Sequence, residues 1–224
     1  IERTKINMKF LSRYTQYEYN IEIYMPNNIN EDSLIYYILD GLSYFQYAKE
    51  TIRLQSLNTL KTKVENAVVV GIFHQEEDMR SRRFLDFTGP AEQYIYPERM
   101  NNHIPKAVGG AEAFHRFIEL ECKPYVHDTI SFKPKREVIF GHSLSGYYVL
   151  WSLLHHPKSF SSYISISPSM WWNNCELLKT IDEKPASINT SVFLAVGEQE
   201  CMILDDTKEF YRKLQPLIEK AEFY

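Results

Sequence analysis

Cysteine is scarce in this sequence: Cys122, Cys175 and Cys201 are the only three, widely spaced and without a C-x-x-C pair. That excludes a disulfide scaffold and a thiolate metal site, and it suits a reducing cytoplasm. No apolar run approaches the roughly 20 residues needed to cross a bilayer, and no secretory leader is legible. A net charge of −4 with no run of lysine or arginine excludes nucleic acid and anionic membrane as expected partners. Internal repeats, low-complexity tracts and linkers are also missing, and nothing calls for a metal or other cofactor. A small-molecule partner is what remains.

What is present is apolar and aromatic. Hydrophobic residues make up 44% of the chain, with sixteen tyrosines and thirteen phenylalanines, enough for one large core in a single domain over 1–224. Residues 19–26 alternate as an early strand, and 33–45 reads as a strand running into a turn at Asp40-Gly41. The run 66–73 is continuously apolar, as in a strand covered on both faces. A polar stretch rich in Pro, Gly and charge then fills 74–110, too long for a mere connection. Residues 111–126 have helical spacing, 138–142 are a buried strand, and 146–155 form a helix almost without a polar face. Two strand-then-loop units follow at 162–172 and 191–200, with a helix at 205–220. This alternation predicts α/β architecture around a mostly parallel sheet, with helices on both faces.

Ligands of such sheets sit beyond the carboxyl ends of the strands. Four segments converge there: Asp40–Tyr44, His142–Ser145, Ser167–Trp172 and Gly197–Glu200. The second lies in Gly-His-Ser-Leu-Ser-Gly, residues 141–146, between a strand and a helix. This is close to the G-x-S-x-G elbow that presents a nucleophilic serine, but with Ser145 in the fifth position. The strained turn demands small residues two before and two after the nucleophile. Gly141 and Ser145 meet that demand around Ser143, whereas centring on Ser145 puts the bulky Tyr147 in a flank. Ser143 is therefore the predicted nucleophile.

Together "LDGLSYF", "RRFLDFTGP", "GGAEAFHRFIELECKPYV", "GHSLSGYYVLW", "SPSMWWNN" and "VGEQE" resemble the putative-esterase branch of the α/β-hydrolases, which includes enterochelin-type siderophore esterases and esterase D relatives. The resemblance runs in order across nearly the whole chain. It implies the α/β-hydrolase fold and hydrolysis of a carboxylic ester through an acyl-serine. Two rivals share the residues: a hydrolase fold kept as an inactive binding module, and a thioesterase or acyltransferase.

A serine hydroxyl needs a general base, and in this fold the order along the chain is serine, acid, histidine. The loop after the strand 191–196 offers Glu198 and Glu200, and the family pattern of a glycine followed three residues later by an acid falls on Glu200. Asp205 and Asp206 read as first-turn charges of a helix. All seven histidines (His74, His103, His115, His127, His142, His155, His156) precede that acid, and none is placed as an elbow base. The ending "EKAEFY" looks like the opening of a strand, so the domain is expected to lack its C-terminal end, and the base is expected beyond Tyr224.

The oxyanion needs preorganised donors. The residue after the nucleophile supplies the N–H of Leu144, and the resemblance assigns the second donor to Leu42, beside a Gly41 that keeps the backbone close. Trp171 and Trp172 either stack on an aryl group or pack in the core. Arg82 and Arg83 either grip an anionic acyl group or join loop ion pairs, Arg83 with Asp86 for instance.

Overall fold

The computed structural model describes residues 4–100, 104–183 and 188–224. Two compact units make up the chain: Ile1–Met79 with Ala113–Ile139, and Arg80–Glu112 with Phe140–Tyr224. Strand order across the eight-stranded, mostly parallel sheet is β1-β2-β4-β3-β5-β6-β7-β8, the α/β-hydrolase architecture expected from the sequence.

In the first unit β1 (Thr4–Leu11) pairs antiparallel with β2 (Glu18–Met25), and β2 pairs antiparallel with β4 (Ala67–Phe73). Strand β3 (Leu34–Ile38) lies parallel to β4. The alternation of β2 buries Tyr19, Ile21 and Ile23 completely, and all seven residues of β4 are buried, as its unbroken apolar run requires. Between β3 and β4 come α1 (Gly41–Gln55) and the single turn α2 (Thr59–Thr62). The predicted turn at Asp40-Gly41 is instead the start of α1, with Asp40 in the left-handed region at φ 51° as its N-cap. Buried Gly41, Phe45 and Ile52 mark the helix's inner face, four and seven residues apart.

The second unit begins with the polar stretch expected to be loop, which holds a helix, α3 (Met79–Asp86), and a 3-10 turn at Glu98–Met100. Its chain leaves this unit at Glu112, in the first turn of α4 (Ala111–Phe117); the rest of α4, a π-helical turn at Ile118–Cys122 and α5 (Lys123–Ile130) belong to the first unit. Strand β5 (Arg136–His142) then leads to α6 (Leu144–His155), every residue of which from Leu144 to Leu154 is buried. Strand β6 (Ser162–Ile166) pairs parallel with β7 (Ile188–Ala195), and β7 with β8 (Ile218–Phe223). The short α7 (Glu176–Thr180) lies between β6 and β7, and α8 (Cys201–Leu214) starts four residues before the predicted 205. Among the described residues, no helix is long and apolar enough to cross a membrane.

One packing detail fixes the start of α1. The Phe73 ring lies over two glycines: a Cβ on Gly41 would stand 2.5 Å from it, and one on Gly71 the same distance. Phe45 packs edge-on against that ring at 5.6 Å, so it has little room to retreat. Overpacking of this kind costs about 1–3 kcal/mol. Gly41→Ala should therefore lower the melting temperature by roughly 2–12 °C, at about 2–4 °C per kcal/mol for a chain of this size. A melt within 1 °C of the wild type would show that the ring accommodates the methyl group.

Candidate active site

The second unit carries an open cavity of about 410 Å³, whose wall includes Ser143, Ser167, Ser169, Trp171 and Glu200. Ser143 is the hinge between β5 and α6, at φ 59° and ψ −117°. Such a backbone costs a residue with a side chain about 1–3 kcal/mol and persists only where its surroundings enforce it. The enforcement is visible. Ser143 N–H donates to Ile166 O at 2.9 Å, and Ser143 O accepts from Ser169 N at 3.0 Å and from Tyr147 N at 2.9 Å.

The flanks behave as the elbow demands. A Cβ on Gly141 would lie 2.3 Å from Ser145 O and 2.9 Å from Gly146 N, so only glycine fits without moving backbone. Ser145 is wholly buried, and its Oγ accepts from His142 N at 3.0 Å while donating to His142 O at 2.9 Å. The hydroxyl at the fifth position is thus a brace that closes the turn. Ser143 Oγ is the one that reaches the cavity, and among the described residues its side-chain partner is Ser169 Oγ at 3.3 Å. Leu144 supplies the first amide of α6, one of the helix-start N–H groups that have no partner within the helix.

Glu200 caps the start of α8 and lines the same cavity. Its Oε1 accepts from Ser167 Oγ at 2.6 Å and from Gly197 N at 3.0 Å. A Cβ on Gly197 would stand 2.7 Å from that oxygen, so glycine there leaves space for the carboxylate. Glu198 is exposed and is not part of the cavity wall. Ser167 and Ser169 are the polar groups that sequence reasoning did not single out. Both lie in a segment placed at the rim, but serines in a Ser-Pro-Ser turn carry no local signal of what they face.

The two tryptophans part company. Trp171 lines the cavity, whereas Trp172 is fully buried and packs on Phe84, Tyr94 and Tyr96 at ring distances of 5.7, 6.0 and 5.7 Å. Arg82 and Arg83 do not line the cavity either. In this segment Arg82 pairs with buried Asp86, its Nε and a terminal nitrogen standing 2.9 and 2.8 Å from the two carboxylate oxygens. Arg83 lies over the Phe87 ring at 5.8 Å. Helical periodicity explains the Arg82 pair, since residues 82 and 86 stand about one turn apart on α3. Gly41 and Leu42 belong to the first unit, where Leu42 is 49% exposed at the start of α1.

Among the described residues, the side-chain hydrogen-bond partners of Ser143 and Glu200 are Ser169, Ser167 and the Gly197 amide, with no histidine ring among them. His142 lines the cavity, and its backbone holds the Ser145 brace. His155 rests on Trp151, with Nδ1 2.9 Å from Trp151 O, and His156 Nε2 lies 2.9 Å from Glu112. In the first unit His74 and His115 are buried, and His127 pairs with Glu137 at 2.9 Å. His103 lies outside the described residues. The thiols do not offer an alternative nucleophile at depth: burial pushes Cys122 up to about 12, and burial together with Asp206 pushes Cys175 up to about 11. Cys201 is exposed at the cavity rim. Among the described residues, no group of three or more His, Cys, Asp or Glu is arranged to hold a metal ion.

The family described as "Putative esterase" matches residues 12–212. The chain is 39% identical over 202 residues to the "Ferri-bacillibactin esterase BesA" of Bacillus subtilis (strain 168), covering 84% of this chain and 70% of that protein. It is 34% identical over 147 residues to the "Siderophore enterobactin esterase" of Emericella nidulans, covering 63% of this chain and 48% of that relative. The crystal structure of the BES protein from Bacillus cereus superposes with a TM-score of 0.82 at 28% identity, over 100% of this chain and 87% of that one. An elbow serine on an α/β sheet and a family match over most of the sequence lead to one conclusion: the chain belongs to the putative-esterase family of α/β-hydrolases and is a serine esterase.

Proposed function

We propose that this protein hydrolyses the ester bonds of a siderophore, with Ser143 as nucleophile and Glu200 as the acid that orients a histidine base. The observation that carries the reading is the strained Ser143 hinge facing the cavity at which the Glu200 carboxylate is also held. The substrate class rests on the names of the relatives, which include esterases of ferri-bacillibactin and enterobactin. Trp171 gives the cavity an aromatic wall suited to an aryl acyl group.

In the first half-reaction the Ser143 Oγ–carbon bond forms while the hydroxyl proton passes to the histidine. The tetrahedral oxyanion is met by the Leu144 N–H. The carbon–oxygen bond to the alcohol then breaks, and the alcohol takes the proton from the histidine. Water, deprotonated by the same base, attacks the acyl-serine and releases the acid. The base is proposed to be a histidine outside the described residues, since the described side-chain partners of Ser143 and Glu200 are serines. Three free thiols suit the cytoplasm as the place of action.

In the full-length protein, Ser143→Ala should abolish hydrolysis of a cyclic catecholate trilactone, a loss on the order of 10⁶ in kcat by analogy with another serine hydrolase. Undiminished turnover would remove Ser143 from the chemistry.

The acid is tested separately. Glu200→Gln should lower kcat by on the order of 10⁴, the scale seen when a triad acid is neutralised, while Glu198→Gln should stay within about threefold. A large loss in Glu198→Gln with Glu200→Gln near wild type would reverse the assignment.

A further inference from the structure

Beside the elbow helix lies a half-buried carboxyl that the proposed chemistry does not use. Glu176, in the first turn of α7, accepts from Tyr147 Oη on one oxygen and from Asn173 Nδ2 on the other. Tyr147 stands one turn into the elbow helix, its N–H on Ser143 O, and it is fully buried. Asn173 turns its own Oδ1 outward to accept from Ile95 N at 2.9 Å, in the segment whose Tyr94 and Tyr96 cover Trp172. One carboxylate thus links the elbow helix, the turn that carries Ser169 and Trp171, and the covering segment.

The turn needs holding. Asn173, Asn174 and Cys175 are consecutive left-handed residues at φ 45°, 54° and 55°, and Ser167 lies at φ 44°. None is glycine, so surrounding contacts must enforce the conformation. We propose that Glu176 is a positioning residue of this esterase site, holding the Ser169–Trp171 wall against the Ser143 helix as the shared acceptor of Tyr147 and Asn173. The inference rests on the esterase reading above.

Hydrogen-bond polarity makes the role specific. The Tyr147 phenol donates its hydrogen to Glu176 Oε1. Asn173 must present oxygen to Ile95 and therefore nitrogen to Glu176. Position 176 accordingly faces two donors. A glutamine there leaves one donor unmatched in every orientation: its amide nitrogen meets either Tyr147 or Asn173, or Asn173 flips and meets Ile95 N–H with its own amide. Burial lifts the Glu176 carboxyl above its ordinary range even though Tyr147, Asn173 and Lys179 pull it down.

The polarity argument supplies its own rescue. Asn173→Asp combined with Glu176→Gln reverses only the central bond. The amide introduced at position 176 then donates to the carboxylate introduced at position 173, and its oxygen still accepts from Tyr147. That carboxylate, in turn, still accepts from Ile95 N–H. Aspartate tolerates the left-handed backbone nearly as well as asparagine. Using a soluble aryl ester and the full-length protein, Glu176→Gln should raise KM about tenfold, the scale of one unmatched buried donor, with kcat within about threefold. The double variant should bring KM back to within about threefold of the wild type. Tyr147→Phe, which removes one donor and keeps the carboxylate, should raise KM less than Glu176→Gln and covers the case in which the glutamine variant fails to fold. An unchanged KM in Glu176→Gln, or in Tyr147→Phe if only that variant folds, would overturn the inference while leaving the esterase reading intact; so would a double variant no better than the single one. A wild type that does not cleave the ester at all would overturn both.

Discussion

The turn at Ser143 can form only if nothing projects from residue 141 into the first turn of α6. The backbone of Ser145 and Gly146 occupies that space, at distances no Cβ tolerates. Given that exclusion, the chain reverses within one residue, Ser143 takes a left-handed φ, and its Oγ is thrown toward the cavity. Everything chemical at this site inherits its placement from that backbone crowding. The apolar α6 is the counterpart of the same constraint, because burial from Leu144 to Leu154 keeps the helix start from relaxing away from β5.

Around the hinge, hydroxyls and carboxyls have been divided between bracing and exposure. Ser145 closes the turn and is lost to solvent, whereas Ser143 two residues earlier is presented to it. Ser167 and Gly197 fix one oxygen of Glu200, the proposed acid, at the cavity. Glu176 serves the layer behind. A serine esterase uses its polar groups differentially, and here burial separates the roles more clearly than residue type does.

Much of this was legible in the sequence because the signals were local. The flank rule points to Ser143 over Ser145 from the size of Tyr147, and the resembled family's pattern of a glycine three residues before an acid points to Glu200, which lines the cavity. Continuous apolar runs marked β4 and α6 without ambiguity. What was missed depended on longer spacing or on direction. Helix α1 was hidden because Asp40-Gly41 has the composition of a turn, yet Gly41, Phe45 and Ile52 repeat at helical intervals past it. Helix α3 was hidden by charge, although the pairing of Arg82 with Asp86 is a spacing that the sequence prints openly. The fates of Trp171 and Trp172 differ because successive side chains in a turn point apart, and only the fold decides which one meets the cavity. Ser169 and Glu176 carry no local mark at all; their partners, Ser143 and Tyr147, are 26 and 29 residues away in sequence.

The central claim is that backbone strain at one residue selects one serine from a cluster of hydroxyls. Treatment of the full-length protein with a fluorophosphonate, followed by peptide mapping in a mass spectrometer, tests it directly. A single adduct on Ser143, with Ser145 and Ser169 unmodified, is the result predicted. An adduct on Ser145 or Ser169 in the wild type would contradict it, since it would mean that the strained hinge does not present the reacting hydroxyl.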